Sequence, residues 1–423
     1  FSRNQRASHD KLYYNWFIFS FQPLTRRFSP FQRKSKETHD EIGIFCYNAL
    51  EIWRKEKSPV KKIIEILRND VVLCASFVLA LASCFFVPPS TAYIKYLDLR
   101  TLILLFCLML ITGGMGKQNL FRYAGNLILS RVKTKKGLAF TLVFLCFVSS
   151  MLITNDIALI TFVPFGILLL KMAGMTPKLC YTITLMTIAA NLGSMLTPVG
   201  NPQNLYLYSL SGYPLQDFLL LMLPYTLLAG VILLFFVFLG YRQDFIPIVP
   251  EKLPPLEKRP IWLYSALFFL CLLSVARILS PALLLLITCC CIFLQERRLF
   301  REIDYSLLLT FVFFFVFVGN LKNFQLLHGV ILSLLEGRER LISVLLSQII
   351  SNVPAALLLS GYTDNIREII IGTNLGGLGT MIASMASLIS YKQVALAYPK
   401  LRKRYFLIFT LCNILFLMVL YPW

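Results

Sequence analysis

From residue 71 to the C-terminus the sequence is a succession of apolar runs of membrane-crossing length, separated by short polar stretches. A helix crosses the hydrocarbon core of a bilayer with about 20 mainly apolar residues, since no water is there to satisfy the backbone. The runs at 71–87, 101–115, 218–240, 262–278, 281–294, 305–319 and 405–422 each read as such a helix. With 57% hydrophobic and 15% charged residues, the 423-residue chain is too apolar for a soluble globular protein. A soluble enzyme, a secreted disulfide scaffold and a disordered regulator are excluded. The expected class is an all-α polytopic membrane protein with the lipid bilayer as its surroundings.

Two regions do not fit plain spans. Residues 138–172 form a long apolar stretch interrupted by Thr154, Asn155 and Asp156, and residues 341–360 form a shorter one interrupted by Ser351 and Asn352. Each reads as a re-entrant hairpin that enters and leaves on one side. The positions of Lys and Arg agree with this, because basic loops stay cytoplasmic. With the segment before residue 71 inside, the loop 116–137 is inside and carries Lys117, Arg122, Arg131, Lys133, Lys135 and Lys136. Lys171 and Lys178 follow, and the loops 242–261, 295–304 and 391–404 add Arg297, Arg298, Arg301, Lys400, Arg402, Lys403 and Arg404. Loops near 88–100 and 206–217 are poor in basic residues and fall outside. The N-terminus is thus expected in the cytoplasm and the C-terminus outside a cell membrane. The net charge of +20 is explained by orientation, and no nucleic-acid partner is expected.

Residues 1–59 are polar, basic and aromatic, with no spanning run and no secretory signal, and the first methionine is Met109. They are expected to be an extension outside the working domain. The membrane domain is then 60–423, with repeats at about 101–240 and 262–423, and the amphipathic stretch Val60 to Leu67 is expected on the membrane surface. The eleven cysteines lie mostly in apolar runs at no metal-ligand spacing. His9, His39 and His328 are scattered, so neither a transition-metal site nor a catalytic triad can be assembled. A P-loop is absent from the sequence. Arg277 is expected to snorkel from a helix end, and Asn413 to make a helix-packing contact.

The two hairpins share a chemistry. Residues 150–155 read SMLITN and residues 347–352 read SQIISN, so Ser150, Thr154 and Asn155 match Ser347, Ser351 and Asn352. Hydroxyls four residues apart lie on one helix face. A second pair follows in the same order. NLGSMLTPVGNPQN at 191–204 aligns without gaps on NLGGLGTMIASMAS at 374–387, pairing Asn191 with Asn374, Gly193 with Gly376 and Thr197 with Thr380. By the loop assignment the first hairpin opens to the cytoplasm and the second to the outside, which makes the repeats inverted. Gly and Pro inside apolar runs break helices. Their freed carbonyls and neighbouring hydroxyl or amide oxygens can hold Na+, while half-helix N-termini favour anions. The Gly-rich 374–379 also admits a reading as close helix packing. Asp156 is the single acidic residue between 138 and 216. A carboxylate at membrane depth costs about 2.5–3.5 kcal/mol on insertion scales, so it is a candidate for ion or proton binding.

The segments TNDIALITFVPF, TPVGNPQN, SQIISNVPAALLLS and GTNLGGLGTMIASMASLISYK resemble the citrate-transporter-like branch of the ion transporter superfamily, over about residues 60–423. That branch holds sodium-coupled dicarboxylate and citrate symporters, arsenite permeases and some Na+/H+ antiporters. The resemblance implies two inverted repeats, each with a re-entrant hairpin and a broken transmembrane helix, in a homodimer that works as an elevator. It implies ion binding by Ser150, Thr154, Asn155, Asp156, Asn191 and Gly193 in one repeat, and by Ser347, Ser351, Asn352, Asn374 and Gly376 in the other. Substrate contacts are implied for Asn155, Ser194, Thr197, Asn201, Asn204, Asn352 and Thr380. The expectation is a secondary active transporter, not an enzyme. Na+ or H+ would be the coupling ion, with no further cofactor, and the cargo a small anion such as citrate or succinate. The alternative is an arsenite efflux permease or a Na+/H+ antiporter. The sequence departs from the symporter pattern at the third tip position, where Asp156 and Val353 replace Thr; an ionised Asp156 repels a di- or tricarboxylate.

Overall fold

Helices account for nearly all the described backbone. The computed structural model describes residues 71–91, 93–118, 123, 132–242, 244–245, 258–322, 329 and 332–423. The N-terminal extension, the stretch Val60 to Leu67, Arg122, Arg131, most of the loop 242–261 and the three histidines lie outside the described residues. Among the described residues there is no strand, only an isolated bridge between Thr134 and Phe245.

The apolar runs become α1 (Val71–Cys84), α2 (Leu99–Lys117), α7 (Leu215–Gly240), α8 (Lys258–Val275), α9 (Pro281–Gln295), α10 (Tyr305–Lys322) and α15 (Arg402–Leu420). Between them lie α3 (Lys135–Leu152), α4 (Asn155–Met172), α5 (Leu179–Ser194), α6 (Pro202–Ser211), α11 (Glu339–Ile350), α12 (Asn352–Leu359), α13 (Ile366–Gly376) and α14 (Met385–Ala397). Among the described residues five helices are long and apolar enough to cross a membrane: α2, α3, α4, α7 and the stretch Pro399–Leu420 that contains α15. The protein is therefore an all-α polytopic membrane protein.

Local chemistry sets where these helices stop. α1 ends at Cys84, earlier than its apolar run, ahead of Pro88 and Pro89, which cannot continue a helix. The expected loop 206–217 begins instead inside a helix, α6, which starts at Pro202 because proline sits at its first position with φ already set. α8 stops at Val275, where Arg277 takes a left-handed φ of 66° and Ile278 N–H closes back on Leu273 O at 2.9 Å. Arg277 does not snorkel freely. Its guanidinium donates to Gly212 O at 3.0 Å and Tyr208 O at 3.3 Å, capping the C-terminal end of α6. Asn413 likewise donates within its own helix, to Phe409 O at 2.8 Å.

Both polar-tipped stretches reverse direction. α3 begins beside the end of α7, where Lys135 N–H donates to Asp244 O at 2.9 Å. α5 begins at the same end, where Tyr181 donates to Phe236 O at 2.9 Å. The far ends of α3 and α5 also meet, at Ser150 and Gly193. α4 runs the other way: Asn155 touches Asn191, while Gly166 faces Met186 and Ile183. Thus α3 and α4 form a hairpin with both feet at one end. Lys136 stands over the Phe238 ring there at 4.8 Å, and Lys178 over the Tyr241 ring at 5.9 Å. Each arm has 18 residues, about 27 Å, so the arms are of spanning length and only the junction is polar.

The second hairpin has the same plan with shorter arms. Ser343 lies against Gly372 and Ser347 against Gly376, so α11 runs parallel to α13. α12 returns, bringing Thr363 back to Glu339 at 3.5 Å. Its feet are tied by Arg340 and Glu368, at 2.7 and 3.3 Å, and Arg340 stands over the Tyr225 ring. Tyr225 precedes Phe236 on α7 by about 16 Å of helix, so the second hairpin's feet lie well up α7 from those of the first. α8 and α9 both pack on α2, and α1 packs on α10.

Candidate functional site

Four helix breaks build the site. At the first hairpin tip, Ile153 and Thr154 are extended, with φ −120°, ψ 164° and φ −63°, ψ 147°. At the second tip Ser351 alone reverses the chain, with φ 76° and ψ 156°. A side-chain-bearing residue in that region is strained, and such strain collects at sites where the structure must be held in one shape. The other two breaks follow α5 and α13, where the chain unwinds and restarts as α6 after Asn201 and as α14 after Ser384. These restart points are the same position in the aligned motifs.

The matched residues make matched contacts. A Cβ added at Gly193 would stand 2.5 Å from Ser150 Oγ, and one at Gly376 would stand 2.6 Å from Ser347 Oγ. Only glycine lets each hairpin arm lie against its broken helix this closely. Thr197 donates to Met151 O at 2.5 Å and Thr380 to Gln348 O at 3.1 Å; Met151 and Gln348 are aligned. Ser150 and Ser347 donate within their own helices, to Phe147 O at 3.0 Å and Ser343 O at 2.6 Å, which leaves their oxygens open as acceptors.

A buried network then links the halves. Asn155 Nδ2 donates to Asn191 Oδ1 at 3.0 Å, and Asn155 Oδ1 accepts the Asp156 N–H at 2.9 Å. Asn191 Nδ2 reaches Ser387 Oγ at 3.3 Å and Gly377 O at 3.5 Å, while Ser384 donates to Asn191 Oδ1 at 3.1 Å. One residue earlier, Ala383 O accepts from the Asn352 N–H at 3.0 Å and from Ser351 Oγ at 3.4 Å. Each tip thus touches the break of its own repeat, and the two breaks meet at Asn191, through Gly377, Ser384 and Ser387. On the far side Asn374 Nδ2 donates to Asn204 Oδ1 at 2.7 Å, and Asn204 Nδ2 spans Ser194 O, Met195 O and Thr197 O at 3.2–3.4 Å. Asn201 closes the loop by donating to Ser194 Oγ at 3.0 Å.

The electrostatics of this centre come from backbone ends. α4, α6, α12 and α14 start at Thr154, Asn201, Ser351 and Ser384, all good capping residue types, yet none makes a side-chain cap bond. Early N–H groups of α4 and α12 are taken by Asn155 Oδ1 and Ala383 O, so the unmasked positive ends are those of α6 and α14, while α3, α5, α11 and α13 bring carbonyl ends. No Lys or Arg hydrogen-bonds into the network among the described residues. Asp156 is half-buried in the first turn of α4, and the charge of Asp304, just before α10, acts on it. A narrow crevice lies against the second tip, between Asp304, Leu307 and Thr310 on one side and Ser351, Val353 and Pro354 on the other.

Of the residues expected from sequence, the structure brings Asn155, Asn191, Ser194, Asn201, Asn204, Asn352 and Asn374 into this buried centre, with Ser150, Gly193, Ser347 and Gly376 packed behind it. Thr154 and Ser351 sit at the tips. Thr197 and Thr380 instead tie the unwound chain to the hairpin arms, and Thr380 is exposed. Sequence reasoning missed Gln348, whose amide donates to Val344, Gly376 and Leu378 carbonyls and accepts the Thr380 N–H. It also missed Ser384 and Ser387. All three lie inside or beside the aligned motifs, and their alignment partners Met151, Asn201 and Asn204 were a signal for them.

Comparison with known proteins agrees with this architecture. The citrate transporter family profile matches residues 60–368. An uncharacterized transporter of Methanocaldococcus jannaschii is 34% identical over 297 residues, which is 69% of this chain and 80% of that one. The inner membrane protein YbiR of Escherichia coli K12 is 30% identical over 338 residues, covering 77% and 88% of the two chains. The silicon efflux transporter LSI3 of Oryza sativa subsp. japonica is 34% identical over 135 residues, 32% of this chain and 27% of that one.

Proposed function

Because the chain belongs to the citrate transporter family, whose members are membrane transporters and not enzymes, we propose that it is a secondary active carrier coupled to Na+ or H+. The observation that carries this is the network in which the first hairpin tip and both broken helices converge on Asn191, Asn374 and Asn204, with the second tip held one residue away on Ala383. Carbonyl ends and the Ser150, Ser347, Thr154 and Asn155 oxygens suit a desolvated Na+, and Asp156 suits Na+ or a proton. Matched contacts in the two halves, with feet at different heights along α7, support inverted repeats. The cluster of α2, α8 and α9 supports a scaffold against which the hairpins and broken helices move as an elevator, in a homodimer.

For the cargo, the unmasked N-termini of α6 and α14 support a small anion such as a di- or tricarboxylate. A second reading is favoured by one observation, the Asp156 carboxylate at the first tip with no basic residue in the network to offset it. That arrangement suits export of an uncharged oxyacid or exchange of cations, as the name of the silicon efflux relative suggests. The test is counterflow in proteoliposomes with succinate, citrate and arsenite, each with and without Na+ and a pH gradient. Accelerated exchange with ion dependence supports a coupled carrier; ion-independent flux without counterflow points to a pore.

A further inference from the structure

α6 carries a glutamine in its first turn that the network does not use. Gln203 is 0% exposed, and neither its Nε2 nor its Oε1 has a hydrogen-bond partner among the described residues. Its neighbours Asn201 and Asn204 both hydrogen-bond within the network. The aligned position in the second repeat is Ala386, also buried, so the shared architecture does not require an amide here. Buried amides are ordinarily hydrogen-bonded, and an exception calls for an explanation.

The position of Gln203 supplies one. Three residues on, and so on the same face of α6, the Tyr206 ring packs on Phe311 and Phe315 of α10, and its hydroxyl meets Ser360 just past α12 at 2.9 Å. α10 and α12 are also the walls of the crevice at the second tip, through Leu307, Thr310, Val353 and Pro354. Gln203 therefore lies one residue from the Asn374–Asn204 bond, on a helix that meets both of those helices.

An amide presents one donor and one acceptor side by side. An ionised carboxylate offers only acceptors and leaves Oε1 unpaired, whereas an acid that keeps its proton answers both atoms. We propose that Gln203 is a solute-contacting, specificity-determining residue of the transport site, and that it recognises a small oxyacid in its protonated form. Nε2 donates to an oxygen of the acid, and the acid's hydroxyl donates to Oε1. This rests on the carrier function above and refines its cargo. The chemistry is shared by a protonated carboxylic acid and by an inorganic hydroxy acid that is uncharged at neutral pH.

The experiment is counterflow by the full chain in proteoliposomes with succinate, arsenite and silicic acid, at mildly acidic and at neutral pH. Wild type is compared with Gln203→Met, which keeps the length and removes both polar atoms, and with Gln203→Glu. Gln203→Met is expected to raise the half-saturation concentration about tenfold or more, with the maximal rate and the ion dependence retained. For succinate the wild-type affinity rises as pH falls; for arsenite and silicic acid it stays level, which tells the two sources apart. The unfolding temperature of solute-free Gln203→Met is expected at or above wild type, because an unpaired buried amide is removed. Unchanged half-saturation, a preference for fully ionised succinate, transport of none of the three acids, or a lowered unfolding temperature with unchanged affinity would each overturn the assignment. Loss of ion dependence in the wild type is a separate result that counts against coupling and leaves the Gln203 comparison readable.

Discussion

Asn374 donates its side-chain amide to Asn204 across 170 residues of sequence at 2.7 Å, and Asn191 donates to Ser387 at 3.3 Å. Donors and acceptors are aligned positions, so each broken helix hands one amide to the restart of the other. The bond is buried, and removing Asn204 leaves Asn374 Nδ2 with Ile370 O alone, at 2.8 Å, and the Ser194, Met195 and Thr197 carbonyls without their donor. Asn204→Leu is expected to cost about 1–3 kcal/mol. Asn204→Ser, which installs the residue found at the matched site, is expected to cost less. Thermal unfolding of the purified variants measures both.

Gly193 and Gly376 are expected to respond differently to rescue. At Gly376 the added Cβ meets chiefly Ser347, whose Oγ and Cβ lie at 2.6 and 2.8 Å. Gly376→Ala destabilises by about 1–3 kcal/mol, and Ser347→Gly recovers part of it. At Gly193 the added Cβ runs into the carbonyl of Phe147 as well as Ser150. Backbone cannot be cut back, so Ser150→Gly is expected not to rescue Gly193→Ala. Unfolding temperatures of the single and double variants decide this.

Ser351 holds the second tip at φ 76°, where glycine is at home and β-branched residues are not. Ser351→Gly is expected to raise the unfolding temperature, by about 1 kcal/mol of relieved strain, while Ser351→Val lowers it. A drop for Ser351→Gly would mean that the Oγ contact with Ala383 O at 3.4 Å outweighs the strain.

Arg277 joins the turn between α8 and α9 to the last carbonyls of α6. Arg277→Lys keeps the charge and loses the fork that reaches both Gly212 O and Tyr208 O. It is expected to lower the unfolding temperature nearly as much as Arg277→Ala. Equal stability of Arg277→Lys and wild type would show that charge alone is needed.

How much of this was legible in the sequence follows from what each signal encodes. Apolar runs specify spans directly, and the Ser–Asn tips and Asn–Gly breaks were visible because two distant segments repeat the same polar residues in the same order. Pairing within a repeat, such as Ser150 with Gly193, follows from that order. The cross-links Asn374–Asn204 and Asn191–Ser387 do not, since periodicity carries no information on which face of one repeat meets the other. Arg277 was misjudged for a related reason: its partners are main-chain carbonyls of a segment expected to be loop. Gln203 carries no signal of its own within TPVGNPQN, and only burial without a partner distinguishes it.

In the proposed carrier the two repeats form one cation-coupled site with Asp156 at its edge. Counterflow in proteoliposomes, measured for wild type and Asp156→Asn over a range of Na+ concentration and pH, tests it most directly. Wild-type exchange is expected to depend on Na+ or pH, and Asp156→Asn is expected to fold but lose that dependence. An unchanged ion dependence in Asp156→Asn would contradict it.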